Sequence, residues 1–340
     1  MARLGLDRLW RKPAATGGAG PVTIGLVNNM PDTALKSTER QFRDLLASAT
    51  GTAAVRLRIF SLPDVPRSAE GQAYVAEHHE PTENLWAGDL DGLIVTGNAP
   101  RAPQLEDEPY WPALARLVDW ADEHTISTVW SCLAAHAAVH RLDGIGRQPF
   151  DGKLSGVFDC VKTANHPLVG FGPDAWRTPH SRYNDLPEQA LAANGYCILA
   201  RSDAGGADLF IKQRQSLFVF LQGHPEYDAG ALLREYRRDV CRFLAGQSEA
   251  YPVLPLGYFK DAAEAAMLAF AERAHAARGP ALMTEFPCPD PAELTAPWQS
   301  AAIRLFANWL TYLADERARR LGPAVSGLPP VPRVLDPTYA

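Results

Sequence analysis

Short apolar strands alternate with amphipathic helices along this chain, and this alternation constrains the fold more than any other feature. The apolar and alternating runs predict strands at residues 22–27, 55–60, 90–97 and 127–131, and helices at 37–46, 110–123 and from Cys132 onward. This order is typical of an α/β fold with a mostly parallel sheet and helices on both faces. In such sheets the chemistry lies beyond the carboxyl ends of the strands.

The patterns in the rest of the sequence predict one domain with terminal segments and a helical insertion. Residues 1–20 are basic and then Gly/Ala-rich, and we expect them to be poorly ordered. A single domain should cover 21–325, with turn-rich, antiparallel strands in its second half. Further helices are predicted at 235–244, 261–278 and 297–320, the second of them in a helical insertion at about 261–280. The proline-rich tail, 326–340, should be extended.

Composition excludes several functional classes. The 340 residues are 46% hydrophobic. Their net charge of −6 argues against a nucleic-acid or membrane-surface partner. No stretch has the length of a membrane span, and the N-terminus lacks the apolar region of a signal peptide. The five cysteines contain no CxxC pair and match neither a zinc site nor a disulfide framework. We therefore expect no metal and a cytoplasmic location.

Two segments carry candidate chemistry. The strand Thr128–Ser131 ends at Cys132, where a helix begins, and a helix N-terminus favours the thiolate form of cysteine. The strand at 217–221 leads into His224-Pro-Glu226, whose spacing lets the carboxylate orient the imidazole. Either segment alone is more typical of a buried thiol or a surface turn. Together, at two predicted strand ends, they favour a Cys-His-Glu triad for acyl transfer.

Several motifs also occur in one order along the chain: Gly25–Pro31, Thr38–Phe42, Asp91–Gly97, Tyr110-Trp111, Lys153–Phe158, Pro179–Tyr183, Gly223–Asp228, Glu235–Asp239 and Asn308–Leu310. In this set, spread from about Val22 to Tyr312, the sequence resembles the homoserine O-succinyltransferase family, the homoserine O-acyltransferases of the class I glutamine amidotransferase-like type. The resemblance implies a class I glutamine amidotransferase-like (flavodoxin-like) fold with C-terminal helical additions. It also implies a homodimer.

The resemblance implies specific roles for the triad. Cys132 would attack an acyl-CoA thioester and carry the acyl group, His224 would act as the base, and Glu226 would hold the imidazole. Backbone N–H groups of Asn98 and Leu133 would stabilise the oxyanion. The acyl-CoA is a co-substrate, and no bound cofactor is expected.

The same resemblance implies that Lys153, Ser181 and Arg238 bind the acyl donor or the amino-acid substrate. A guanidinium suits an α-carboxylate because it binds that group through two parallel hydrogen bonds. Local sequence alone would allow a solvated lysine, a turn serine and a helix-surface arginine at these positions.

Donor choice in the family depends on the loop after Gly97, where glutamate accompanies acetyl-CoA and glycine accompanies succinyl-CoA. Counting back from Tyr110 puts Arg101 at that position, and matching the Ala-Pro pair puts Ala102 there. Neither is acidic, so repulsion of the succinyl carboxylate by a glutamate is expected to be absent. We therefore favour succinyl transfer to L-homoserine in methionine biosynthesis. Acetyl-CoA and a related hydroxy amino acid stay open as the donor and the acceptor.

The chain departs from the family in places, which indicates a divergent member. Cys132-Leu-Ala-Ala-His136-Ala replaces the usual Cys-Trp-Gly-Ala-Gln-Ala, and the loop before Glu39 is two residues longer, so Lys36 matches no family lysine with certainty. His136 and His180 are alternative candidates for the base. His136, one turn after the cysteine, is better explained as a supporting or packed residue.

Two other functional classes compete with this one. A glutamine amidotransferase-like hydrolase would share the triad, but such enzymes usually carry glycines at the positions of Trp130 and Ala134, where they allow a strained turn. A non-catalytic relative is the third alternative, and the complete triad argues against it.

Overall fold

A computed structural model describes residues 20–51, 54–170 and 172–321. The predictions for residues 1–19 of the N-terminal segment and for the proline-rich tail lie outside this described part of the chain. Within it, a single nine-stranded sheet organises the protein. The strands are β1 Val22–Val27, β2 Val55–Phe60, β3 Gly92–Val95, β4 Ser127–Ser131, β5 Gln148–Lys162, β6 Ala175–Asp185, β7 Cys197–Ser202, β8 Gly206–Gln213 and β9 Leu217–Leu221.

The sheet has a parallel half and an antiparallel half. Its order is β2-β1-β3-β4-β9-β8-β7-β5-β6. The pairs from β2 to β9 are all parallel, and those from β9 to β6 are all antiparallel. The predicted α/β fold with an antiparallel second half is therefore confirmed. Because β4 and β9 are parallel neighbours, with Ser131 opposite Leu221, the segments that follow them leave the sheet at the same edge.

The helices cover both faces of the sheet. They are α1 Asp32–Ala49, α2 Ala69–His78, α3 Thr82–Trp86, α4 Trp111–His124, α5 Leu133–Asp143, α6 Glu188–Ala193, α7 Ala231–Leu244, α8 Asp261–Ala276 and α9 Gln299–Leu321. Short 3-10 turns occur at Leu105–Asp107, Pro167–Val169, Pro280–Glu285 and Pro291–Glu293.

Alternate side chains of the central strands feed two separate cores. On β4, Trp130 packs with α4 and α5, whereas Val129 packs with α1 and α9 on the other face. This two-residue period is what a strand buried on both faces requires. Burial of a large apolar side chain contributes about 1.5–3 kcal/mol, so these cores hold both helix layers firmly. The indole of Trp309 also ties α9 to the sheet, since it donates to Ser127 Oγ at 2.9 Å.

A third core joins the C-terminal helices to the active-site side of the molecule. Helix α8 buries Ala263, Met267, Phe270 and Ala274, which recur at helical spacing along one face. They pack with α7 and with Tyr258, Phe259 and Trp298. The helix predicted at 261–278 is thus present. It supports α7, which supplies much of the polar wall described below.

Candidate active site

Cys132 sits in a strained turn between β4 and α5. Its φ of 51° and ψ of −114° lie in a region that favours glycine, at a cost of about 1–3 kcal/mol for other residues. The turn is held because the Cys132 N–H donates to the Leu221 carbonyl at 2.7 Å and its own carbonyl accepts from Ala135 at 2.9 Å. The half-buried thiol therefore projects from the end of the sheet at the start of a helix.

This turn forms without the flanking glycines that amidotransferase-like hydrolases carry. Trp130 is fully buried and Ala134 is 2% exposed, so both side chains that flank the turn pack into the core. The absence of glycine at these two positions, which argues against a glutamine amidotransferase-like hydrolase, does not prevent the strained backbone at Cys132. Gly97 supplies the close approach instead, since a Cβ there would lie 3.1 Å from the Leu133 nitrogen.

His224 and Glu226 follow β9 at the same edge of the sheet. Nδ1 of His224 lies 2.8 Å from Oε1 of Glu226, and the ring stacks on Tyr227 with centroids 4.3 Å apart. The His224 N–H donates to the Pro179 carbonyl at 2.8 Å, which fixes the backbone. These contacts leave the Nε2 edge of the imidazole for Cys132.

Electrostatics at this pair favour the imidazolium. Burial by itself lowers the pKa of His224, but the negative charges of Glu226 and Cys132 and the hydrogen bonds to both raise this pKa well above its ordinary value. A histidine that holds its proton beside a cysteine stabilises the thiolate. The arrangement thus suits nucleophilic catalysis.

The pocket above Cys132 encloses about 460 Å³. The residues predicted to supply oxyanion N–H groups, Asn98 and Leu133, both line it together with His224. Leu133 is the first residue of α5, so its N–H has no partner within the helix. That N–H is available to an oxyanion bound beside the thiol.

One side of the pocket, here called the acceptor wall, is formed by Lys153, Ser181, Glu235, Arg238 and Asp239. Lys153 Nζ lies 2.7 Å from Asp239 Oδ2, and Arg238 Nε donates to Asp239 Oδ1 at 3.0 Å. Ser181 Oγ donates to Glu235. The three residues named from the resemblance are thus brought together beside Cys132.

Glu235 and Asp239, the two carboxylates of this wall, were not predicted as site residues. Burial raises the pKa of Glu235, but the positive charges of Lys153 and Arg238 outweigh it and hold this pKa below its ordinary value. The pKa of Asp239 is lowered in the same way. Both carboxylates are therefore ionised at neutral pH, and the wall offers positive and negative charge together. The motif Glu235–Asp239 was the available signal in the sequence.

Residues 98–108, here called the donor loop, supply another part of the lining. Arg101 lines the pocket at its exposed rim, whereas Ala102 is outside the lining. Their backbone N–H groups both donate to Glu108 Oε1, at 2.5 and 2.8 Å. Glu108 is only 2% exposed and lines the pocket. The side chains at positions 101 and 102 are not acidic, but the loop folds back on its own glutamate, which brings a carboxylate into the pocket lining.

Of the alternative bases, His136 lines the pocket and His180 does not. Nε2 of His136 is 2.8 Å from Gln222 Oε1, and burial, with the charges of Arg182 and Arg147, lowers the pKa of His136 to about 3. His180 is fully buried outside the pocket lining, and burial lowers its pKa. Neither has the environment of a base near neutral pH. Lys36 lies over the ring of Tyr74, away from the pocket.

Within the described ranges, one group could offer three ligand atoms to a metal: Cys160, His180 and Asp208. Its members already bind one another or neighbouring groups. His180 Nε2 lies 3.2 Å from Asp208 Oδ1, and the same carboxylate accepts from Thr178 Oγ1 and the Gly223 N–H. The Asp208 carboxylate thus already accepts hydrogen bonds from the protein, which makes this group a poor site for a cation.

None of the helices within residues 20–51, 54–170 and 172–321 is both long enough and apolar enough to cross a membrane.

A cysteine in a strained strand-to-helix turn, with a His-Glu pair at the end of the neighbouring parallel strand, is the arrangement of α/β enzymes that perform nucleophilic acyl transfer. Sequence comparisons identify the particular family. The family profile described as "Homoserine O-succinyltransferase" matches residues 8–319. This chain therefore belongs to the homoserine O-succinyltransferase family and is an acyltransferase.

Individual relatives carry the same description as the family profile. A homoserine O-succinyltransferase of Methylorubrum extorquens is 50% identical over 87% of this chain and 88% of its own length. Another, from Bradyrhizobium japonicum, is 49% identical over 93% of this chain and 95% of its own. A solved glutamine amidotransferase from Methylobacillus flagellatus aligns with 87% of this chain and 94% of its own, at 14% identity and a TM-score of 0.49. Family membership rests on the sequence matches.

Proposed function

We propose that this protein transfers a succinyl group from succinyl-CoA to the hydroxyl of L-homoserine, a step of methionine biosynthesis, through a thioester on Cys132. The observation that carries the proposal is the Cys132-His224-Glu226 arrangement, in which Glu226 Oε1 lies 2.8 Å from His224 Nδ1 and both Cys132 and His224 line the pocket. Membership in a family described as homoserine O-succinyltransferase supplies the substrates.

In the first half-reaction the Cys132 thiolate attacks the thioester carbonyl of succinyl-CoA. The Leu133 and Asn98 N–H groups stabilise the oxyanion of the tetrahedral intermediate. As this collapses, the bond to the CoA sulfur breaks, and His224 gives its proton to the departing thiolate. The products are CoA and a succinyl thioester on Cys132.

In the second half-reaction homoserine enters after CoA has left. Neutral His224 takes the proton of the homoserine hydroxyl as its oxygen attacks the thioester carbonyl. The bond to the Cys132 sulfur then breaks, which releases O-succinylhomoserine and restores the thiolate–imidazolium pair. Glu226 stabilises the imidazolium formed in this step.

The acceptor wall fits the two charges of an amino acid. Arg238 and Lys153 are cations that an α-carboxylate can share with Asp239 and Glu235. The same two carboxylates can accept from the ammonium group. Because the wall lies next to His224, an amino acid held there would direct its side-chain hydroxyl toward the imidazole.

The test is a matrix of acyl donors and acceptors with CoA release as the readout. Succinyl-CoA and acetyl-CoA are each incubated with homoserine, serine and buffer, and ammonia is measured with glutamine alone. We expect rapid CoA release only with succinyl-CoA and homoserine together, and none from the Cys132→Ala variant. Ammonia release would instead identify a hydrolase, and faster turnover with acetyl-CoA would identify an acetyltransferase.

We further propose that the enzyme works in the cytoplasm as a homodimer, with the acyl-CoA as co-substrate and no tightly bound cofactor. The support is the family resemblance and, for the compartment, a nucleophilic thiol that needs reducing conditions. Light scattering of the purified protein tests the dimer. A monomer at working concentrations would refute it.

A further inference from the structure

The pocket is strongly basic in a chain whose net charge is −6. Its lining contains three acidic residues, Glu108, Glu235 and Asp239, and six basic ones, Arg101, Arg147, Lys153, Arg182, Arg238 and Arg242. Four of these cations form ion pairs with carboxylates of the chain: Lys153, Arg182, Arg238 and Arg242. Among the described residues, Arg101 and Arg147 are left without a carboxylate partner. The anion-binding capacity of the pocket is therefore concentrated in these two.

Arg147 differs from Arg101 in how its side chain is held. Nη2 of Arg147 donates to the Pro103 carbonyl of the donor loop at 3.0 Å, which fixes the guanidinium. Its Nη1 is buried, with no hydrogen-bond partner among the described residues. A buried, unpaired N–H of a cation is costly, and a carboxylate would satisfy it with a charge-assisted hydrogen bond. Arg101, by contrast, is exposed at the rim.

Arg147 contacts the donor loop and lines the same pocket as the nucleophile. It lines the pocket together with Glu108, Cys132 and His136, and His136 lies one helical turn after the cysteine. Its positive charge lowers the pKa of His136, and it also acts to lower the pKa of Tyr110, the neighbour of Glu108 whose pKa burial raises. An acyl chain on Cys132 that extends toward the donor loop would therefore end near this guanidinium.

The buried Glu108 explains why a cation is needed there. Its Oε1 is occupied by two backbone N–H groups, but its Oε2 has no partner among the described residues. A carboxylate on the acyl chain would meet repulsion from Glu108 unless a fixed positive charge lay beside it. Arg147 is the cation whose position meets this need.

We infer that Arg147 binds the free carboxylate of the succinyl group and is the residue that selects the donor, in place of Arg101 or Ala102. The inference rests on the proposed function and deepens it. Selection then comes from a guanidinium just before β5 rather than from the side chain at the family's usual position in the loop.

The first test compares donors. Arg147→Met, Arg147→Lys and Arg101→Met are assayed with succinyl-CoA and acetyl-CoA, with Arg141→Met, on the outer face of α5, as a matched control. We expect Arg147→Met to lower kcat/KM for succinyl-CoA about 10- to 100-fold relative to acetyl-CoA. Arg147→Lys should recover part of this loss. An equal loss with both donors, or a larger change of preference in Arg101→Met, would overturn the assignment.

The second test needs no turnover. Alkylation of Cys132 is followed in the presence of succinate or butyrate, which differ by one terminal carboxylate. We expect succinate to protect the wild-type thiol better than butyrate does, and Arg147→Met to abolish the difference while its unfolding curve stays that of the wild type. Equal protection by both acids in the wild type would refute the role of Arg147. Selective protection without transfer to homoserine would instead refute the proposed function alone.

Discussion

The Nδ1 atom of His224 lies 2.8 Å from Oε1 of Glu226, and both side chains are buried. The two residues are separated only by Pro225, so the strand exit itself builds the pair. The carboxylate offsets the effect of burial and raises the pKa of His224, which keeps the imidazole protonated beside Cys132. The triad therefore depends on the negative charge of Glu226, the largest of the contributions that favour the protonated imidazole.

Glu226→Gln removes that charge and keeps the shape. We expect kcat to fall by about 10² to 10⁴, by analogy with orienting acids in other triads. Because the pKa of His224 should also fall, alkylation of Cys132 at mildly acidic pH should become slower. The measurement is steady-state kinetics together with the pH profile of alkylation. Glu249→Gln, at an exposed position, is the control. A normal rate and an unchanged alkylation profile would make Glu226 merely structural.

The strained turn at Cys132 gives a prediction about stability. Its φ of 51° and ψ of −114° are unfavourable for alanine and accessible to glycine. Both Cys132→Ala and Cys132→Gly should be inactive, but the glycine variant should be the more stable of the two by about 1 kcal/mol. Chemical denaturation of the two variants checks this. Greater stability of the alanine variant would show that the turn is not strained in solution.

Glu235 is the centre of the acceptor wall, where it accepts from Ser181 and Tyr227 and lies 3.4 Å from Lys153. Glu235→Gln keeps the size but removes the charge that an ammonium group would meet. We expect KM for homoserine to rise about 10-fold or more, with little change in KM for succinyl-CoA. Initial-rate kinetics with each substrate varied in turn separates the two. A rise confined to KM for succinyl-CoA would place the acyl-CoA, rather than the amino acid, against this wall.

The sequence predicts the site residues whose positions each depend on a single strand or turn. Cys132 and His224 follow strands that are recognisable from their apolar runs, so their placement at one sheet edge follows from parallel pairing. Ser181 and Lys153 come from β6 and β5, and their contact with Glu235 depends on the strand order of the antiparallel half, which local patterns do not specify. Glu108 was missed for a related reason. Its carboxylate accepts from the backbone N–H groups of Arg101 and Ala102, which the fold of the intervening loop brings to it.

His136 allows the pH dependence of stability to be tested at one residue. Burial, with the charges of Arg182 and Arg147, lowers its pKa to about 3, so the folded protein binds no proton there under conditions in which the unfolded chain, with a pKa near 6.5, does. Stability is thus lost as the pH falls below about 6.5, and the loss due to this residue amounts to about 2 kcal/mol at about pH 5. His136→Gln cannot titrate, and its amide can still donate to Gln222 Oε1, which His136 Nε2 approaches to 2.8 Å. We expect the variant to lose less stability than the wild type between about pH 7.5 and about pH 5, as measured by urea unfolding at each pH.

His124→Gln, on the exposed end of α4, is the control for the effect of exchanging a histidine for a glutamine. Equal acid sensitivity of wild type and His136→Gln would mean that His136 is not held neutral in the fold.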